Sequence, residues 1–367
     1  MIRRLLAAAA LAALTAGCAG AGSSSPTPVS TPAPVATSTP APIATPRAAL
    51  AGTITEFSSA AIARPEGITS GPDGNLWFTD HDLNQIGRIT TAGAITVFAT
   101  GMSAGAAPVG IAAGPDGNLW FTESNVNRIG RITPAGVITE FTGLTPGPSP
   151  TGVGTGPSPF GIAAGPDGNL WFTEQWGNRI GRIAPGGVVT EFTAGITPQA
   201  YPTGIARGPD GNLWFTEQWT DRIGRITPAG VVTEFSAGIT RLSMPAGITA
   251  GPDGNLWFTE SAGNRIGRIT PAGVVTEFSS GITTGGVDPF TGKPNNAQPT
   301  GITAGPDGNL WFTEFGTNRI GCITPAGAIT EFSTGITGSA QPEGITTGPD
   351  GNIWFTESSG RRIGRLR

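Results

Sequence analysis

Histidine is almost absent from this chain: His81 is the only one in 367 residues. That denies the commonest general base and metal ligand to every other position. Lysine is equally scarce, with Lys293 alone, so the basic residues are nearly all arginine. A formal net charge of −4 argues against a nucleic-acid-binding surface. There are two cysteines, Cys18 and Cys322. The run Leu5–Leu14 is too short to span a bilayer stably. Glycine, by contrast, is abundant at 58 residues, without the three-residue period of collagen. It marks turns, because only glycine takes positive φ without steric cost.

The N-terminus reads as a targeting segment. Arg3 and Arg4 precede the apolar run, and Leu14-Thr15-Ala16-Gly17-Cys18 resembles a bacterial lipobox, with its leucine one position early. Residues 1–17 are therefore expected to be a lipoprotein signal peptide, with a diacylglyceryl group on Cys18. Its removal takes Arg3 and Arg4 with it and leaves the mature chain more acidic. Residues 18–51, rich in Ala, Pro, Ser and Thr, cannot bury a core and read as an extended tether. With Cys18 lipidated, Cys322 has no intramolecular partner and no disulfide is expected. The localisation these features imply is the bacterial cell envelope, outside the cytoplasm, with the membrane engaged through lipid.

Residues 52–367 are dominated by a repeat. The phrase Gly-Pro-Asp-Gly-Asn-Leu-Trp-Phe-Thr begins at Gly71, Gly114, Gly165, Gly208, Gly251, Gly305 and Gly348, with Ile353 replacing Leu in the last copy. Most intervals are 43 residues, and two are 51 and 54. In residues 108–141, Pro108–Ala113 reads as a strand and Pro115-Asp116-Gly117 as a tight turn. Asn118–Glu123, Arg128–Ile132 and Val137–Phe141 read as three more strands. The near-continuous apolar run of the second strand is expected where both sheet faces are covered. This predicts an all-β, seven-bladed β-propeller with four antiparallel strands per blade. The last repeat stops after its third strand, while Thr53–Phe57 precedes the first. That N-terminal strand 53–57 is expected to complete the last blade and close the ring, which removes exposed edges.

Alternating strand direction places the Pro-Asp-Gly and Pro-Ala-Gly turns on one face. The opposite face carries the variable loops and both long insertions, at 142–158 and 279–298, and reads as the binding face. Each first strand begins near the axis with Pro-x-Gly-Ile, and the x positions form a ring: Glu66, Val109, Phe160, Thr203, Ala246, Thr300 and Glu343. Glu66 and Glu343 become neighbours on closure. With Gln341 and Arg64 nearby, they can hold a cation or shift each other's ionisation, or simply form a neutralised rim. Trp176 and Trp219 occupy equivalent loop positions and, with Tyr201 and Phe160, can wall a site for an apolar or cyclic ligand, or pack loop against loop. The repeated acid ending strand two (Asp80, then Glu123, Glu174, Glu217, Glu260, Glu314 and Glu357) is followed in six blades by Arg five residues later. A cross-strand ion pair is expected there, serving the blade rather than a site. His81, between Asp80 and Asp82, reads as an exposed polar loop residue. Cys322, which replaces a repeated Arg, reads as a buried inert thiol. No nucleophile motif, phosphate loop or zinc spacing is present.

The phrases Gly-Pro-Asp-Gly-Asn-Leu-Trp-Phe-Thr-Glu, Asn-Arg-Ile-Gly-Arg-Ile-Thr and Gly-Val-Val-Thr-Glu-Phe resemble the virginiamycin B lyase (streptogramin lyase) family, over roughly residues 52–367. The resemblance implies a seven-bladed propeller that opens a cyclic depsipeptide by Mg²⁺-assisted elimination, with a base for the α-proton and a cation for the enolate. It also implies which positions carry that chemistry. The family's substrate-binding histidine falls here on Thr300 and its general-base histidine on Glu343. Its metal-binding glutamates fall on Gln341 and, within one residue of register, on Glu357. Both histidines are thus absent and one metal ligand is neutral. Three functions follow. The first is a binding module for a small molecule, glycan or protein at the variable face, expected to be monomeric. The second is a Mg-dependent C–O lyase. The third is a lactonase-like hydrolase using rim carboxylates, with Glu66, Glu343 and Glu357 as the candidate metal ligands and Glu343 as the candidate base.

Overall fold

The computed structural model describes residues 52–147, 156, 158–285 and 296–367. The expected signal and tether, Cys18, and much of the two insertions lie outside the described residues.

Every regular element described is a strand, and the strands form seven four-stranded antiparallel sheets. Blade 1 comprises Pro65–Ser70, Leu76–Asp80, Gln85–Ile89 and Ile95–Phe98, innermost to outermost. Blades 2 to 6 repeat that order. In blade 7 the outermost strand is Ile54–Ser58, paired antiparallel with Arg362–Leu366. The amide of Thr53 also donates to Arg367 O (3.2 Å), and Arg367 N donates back to Thr53 O (2.9 Å). The ring closes as its ends predict.

Second strands are buried from end to end in all seven blades, which is why their sequence is a continuous apolar run. Each hydrophobic cluster spans two neighbouring blades. One joins Trp171 and Ile180 of blade 3 to Leu213, Phe215 and Ile226 of blade 4. Within a blade the strand-two Trp stacks on the strand-four Phe, as Trp77 does on Phe98 at 5.4 Å. The strand-three Arg covers both rings, as Arg88 does at 5.4 and 5.5 Å. Such stacked pairs and cation–π caps contribute about 0.5–1.5 and 0.5–1 kcal/mol beyond area burial. The indole N–H is not left orphaned: Trp77 Nε1 donates to Asp73 Oδ1 of the preceding turn at 3.0 Å. The aspartate of the repeated phrase is therefore both a turn former and the partner of a buried donor.

The axis is built from backbone. Each first strand carries a β-bulge at its x-Gly step, where Pro65 pairs with Asp80 but Ile68 pairs with Phe78. The same shift recurs in the other six blades. A bulge turns a side chain out of its regular direction. The glycine after x is required by close approach: a Cβ on Gly204 would lie 2.3 Å from Ala246 O, and one on Gly344 would lie 2.2 Å from Glu66 O. The strand-two Thr then staples one blade to the next. Thr216 Oγ1 accepts from Gly204 N (2.8 Å) and donates to Ala246 O (2.7 Å). Thr356 Oγ1 does the same across the closure, donating to Glu66 O at 2.6 Å. The backbone of each x residue is thus fixed by contacts repeated in every blade, while its side chain is free to vary.

Candidate functional site

The seven x residues surround one end of the axis and line a cavity of about 660 Å³. The expectation that they form a ring is borne out. The wall above them comes from two further sets of residues. One lies two positions before x: Tyr201, Met244 and Gln298 line the cavity with φ of 57°, 53° and 51°. A side chain rarely tolerates this left-handed backbone. It is held by the loop between strands two and three, where Asn178 Oδ1 accepts from Ala200 N (2.7 Å) and Tyr201 N (3.4 Å). Asp221 makes the equivalent bond to Met244 N at 3.1 Å. The other set follows the strand-two acid and supplies Gln175, Gln218 and Phe315. None of Gln175, Gln218, Met244, Gln298 or Phe315 was singled out from the sequence. The signal was available, because the repeats disagree at both positions.

Among the described residues, Glu66 and Glu343 are the only carboxylates lining the cavity. Glu66 is buried, with Arg64 Nε 3.1 Å from its Oε1. Burial, followed by the charge of Glu343, raises its pKa to about 8 against the pull of Arg64. Burial also raises Glu343, opposed by Arg64 and by a hydrogen bond with Ser358. Its Oε2 is closed to solvent and has no hydrogen-bond partner among the described residues. Two neighbouring buried carboxyls with a single guanidinium beside them keep a proton at neutral pH.

On the other side, Tyr201 lines the cavity and stacks on Trp219 at 4.5 Å with an interplanar angle of 5°. Trp176 meets Tyr201 and Trp219 edge-on at 4.8 and 5.4 Å. The structure thus brings Trp176, Tyr201 and Trp219 together. Only Tyr201 and Phe160 of the expected wall reach the cavity itself, and the indoles stand behind Tyr201. Thr300 lines the cavity, its hydroxyl donating to Gln298 O at 3.0 Å.

Several expected groupings are corrected. Gln341 does not join the acid pair. It lies in an adjoining polar pocket with Asn296, Asn318 and Ser339, and its Oε1 accepts from Ser359 Oγ. Glu357 likewise does not line the cavity: it is fully buried against Glu56, and burial and that neighbour raise it to about 8. The Arg five residues after the strand-two acid mostly turns to the strand-four Glu instead. Arg222 reaches Glu234 at 3.2 Å and Arg319 reaches Glu331 at 3.3 Å. Only Arg179–Glu174 (3.5 Å) and Arg265–Glu260 (4.0 Å) also form the expected pair. The strand-two acid sits fully inside the sheet stack, where a guanidinium would have to be desolvated to follow it. His81 is partly buried, with Nδ1 2.9 Å from Asp82 Oδ1, and lies outside the cavity lining. Cys322 is buried and free, and burial pushes its thiol up to about 12, so it is the inert thiol expected.

The residues at the family's metal positions do not make a magnesium site. Among the described residues no three His, Cys, Asp or Glu side chains converge to hold a metal ion. Gln341 is neutral and engaged with Ser359, and Glu357 retains its proton at pH 7. A hard divalent cation needs several anionic or carbonyl oxygens together.

The sequence model of the Virginiamycin B lyase family matches residues 42–158, 152–281 and 281–367. The chain belongs to that family. Among solved structures, selenomethionine-substituted virginiamycin B lyase from Staphylococcus aureus is 41% identical, over 86% of this chain and 98% of its own, with a TM-score of 0.73. A catalytically inactive histidine-to-alanine variant of the S. aureus enzyme, with quinupristin, is also 41% identical over 86% of this chain and 98% of its own, with a TM-score of 0.74. A streptogramin B lyase structure is 37% identical over 86% and 97%, again with a TM-score of 0.74. No curated protein matches. This virginiamycin B lyase family member therefore shares the propeller of its relatives, while its cavity is lined by no histidine.

Proposed function

We propose that this domain is a binding module that holds a small molecule in its central cavity, displayed outside the cytoplasm on a lipid carried by Cys18. The observation that carries the reading is the composition of the axial ring. The scaffold that presents it is intact in all seven blades, yet the cavity contains two carboxyls, amides and apolar groups and no imidazole. One histidine-to-alanine change leaves the S. aureus lyase catalytically inactive. The single histidine of this chain, His81, is engaged with Asp82 outside the cavity. The cavity volume falls in the range of small-molecule sites.

The test is incubation of the purified protein with quinupristin and Mg²⁺, followed by mass spectrometry. Binding without ring opening is the expected result. Ring opening that disappears in Glu343→Ala would overturn the reading in favour of a lyase. One observation supports that second, enzymatic reading: the Glu66–Glu343 pair holds a proton near neutrality, which suits general acid–base work. For the anchor, Cys18→Ala is expected to move the protein from the membrane fraction to the soluble fraction. Equal membrane retention of the variant would exclude lipid on Cys18.

A further inference from the structure

The cavity is polarised across the ring. Blades follow one another in sequence order around the axis, with blade 7 against blade 1. Glu66 and Glu343 sit at the junction of blades 1 and 7. Phe160 and Tyr201, from blades 3 and 4, stand nearly opposite. We propose that the cavity takes an organic cation, a protonated amine carried on a flat apolar or aromatic body, with the amine against Glu66 and Glu343 and the body against Tyr201 and Phe160. This inference rests on the binding-module reading and names its ligand class.

Four observations carry it. First, among the described residues no basic side chain lines the cavity, and the charged groups that do are the two carboxyls. An anionic ligand is repelled, and a neutral one leaves the pair as it is. Second, the one guanidinium nearby, Arg64, is committed to Glu66 at 3.1 Å and is itself nearly half exposed. An ammonium against the pair supplies the missing positive charge, and its arrival displaces the proton that the empty pair retains. Third, the opposite wall is braced by ring contacts already present without a ligand. Tyr201 is backed by Trp219 at 4.5 Å and braced edge-on by Trp176, and Thr203 Oγ1 fixes its carbonyl at 3.0 Å. A preformed aromatic surface binds a planar group with little ordering cost and also attracts cations. Fourth, two carboxylates do not complete the coordination of a metal ion, which leaves the organic cation as the matching charge.

Three probes of one shape separate the terms: 1-naphthylmethylamine (cation), 1-naphthalenemethanol (neutral) and 1-naphthylacetate (anion), titrated calorimetrically into the protein. The amine is expected to bind at least about tenfold more tightly than the alcohol, a difference of about 1.4 kcal/mol. The acetate is expected not to bind. In two buffers of different ionisation enthalpy at pH 7, amine binding should release up to one proton. The groups facing the pair are Arg64, Asp80 and Asp82 from blade 1 and the Ser358 hydroxyl from blade 7. The double variant Glu66→Gln/Glu343→Gln should bring the amine down to the alcohol's affinity and abolish proton release while leaving the alcohol unchanged. Tyr201→Ser should weaken amine and alcohol alike, and its distance from the carboxyls guards against a folding defect in the double variant. An alcohol bound as tightly as the amine overturns the cation inference and leaves the binding module standing. Failure of all three probes overturns the inference as well, the module reading then being decided by the quinupristin titration. Chemical conversion of the amine overturns the module reading itself.

Discussion

Deleting residues 52–58 is expected to leave a chain that no longer melts as one cooperative unit and that self-associates on size-exclusion chromatography. The segment supplies the whole outer strand of blade 7. Its Phe57 stacks on Trp354 at 5.5 Å and lies under Arg365 at 5.1 Å. Glu56 accepts from Thr337 N (2.5 Å) and Thr337 Oγ1 (2.6 Å), and lies 3.5 Å from Arg362. Loss of a fully buried Phe costs about 3–5 kcal/mol; the partly buried Phe57 contributes less, and the ladder and Glu56 contacts add to it. Whole domains are held by only about 5–15 kcal/mol. The deletion also bares Arg362–Leu366 as an unpaired edge, a template for pairing with other chains. Phe57→Ala, which keeps the strand, should lose the stacking but remain monomeric and cooperative. A truncated protein with an unchanged melting temperature would refute the closure argument.

How much of this was legible in the residues follows from where the repeat is strict. The seven copies of one phrase fix turns, buried strands and the Trp–Phe stacks, capped by Arg in six blades, because each copy meets the same neighbours in the next blade. The surplus strand at one end and the missing one at the other gave the closure. The ring of x residues was legible for the same reason: a varying position inside an invariant frame is visible as variation. What was not legible depends on where side chains turn. Gln341 and Glu343 are two residues apart, yet the Gln341 amide takes Ser359 as its partner in the adjoining pocket instead of joining the acid pair. Arg128 and Glu123 are paired in register, yet the arginine leaves a fully buried acid for Glu140. Spacing fixes register, whereas the cost of burying charge decides which of two nearby carboxylates an arginine takes.

That choice has a large consequence for stability against pH. Glu123, Glu174, Glu217, Glu260, Glu314 and Glu357 are each fully buried, with at least one oxygen lacking a partner. In each case burial, with a strand-four or closing-strand glutamate behind it, raises the pKa from 4.5 to about 8. Protonated, the buried acid donates to that partner carboxylate, so the orphan oxygens are half of an acid–carboxylate pair. In the unfolded chain all six ionise near 4.5. Between pH 4.5 and 8 the folded state therefore binds more protons, and stability must fall as pH rises. The contribution is complete below 4.5 and lost above 8.

The displacement would be worth on the order of 5 kcal/mol per group if nothing moved. Six such terms exceed the stability of any domain, so ionised side chains must swing toward their arginines and recover most of it. If only about 1 kcal/mol survives per pair, the melting temperature should still drop by on the order of 10 °C from pH 5 to pH 9. The turn aspartates act oppositely but elsewhere. At Asp73, Asp116, Asp167, Asp210, Asp253 and Asp350 burial is outweighed by hydrogen bonds from Asn and Trp side chains, which holds them low, so their contribution fades only in acid. Differential scanning calorimetry from pH 5 to 9 checks the slope, and Glu217→Gln isolates one pair. The amide copies the protonated form, so it should be near neutral at pH 5 and raise the melting temperature relative to the parent at pH 9. A melting temperature that is flat or rising over that range, or a glutamine variant equally destabilised at both ends, would show that these glutamates are ionised in the folded ring.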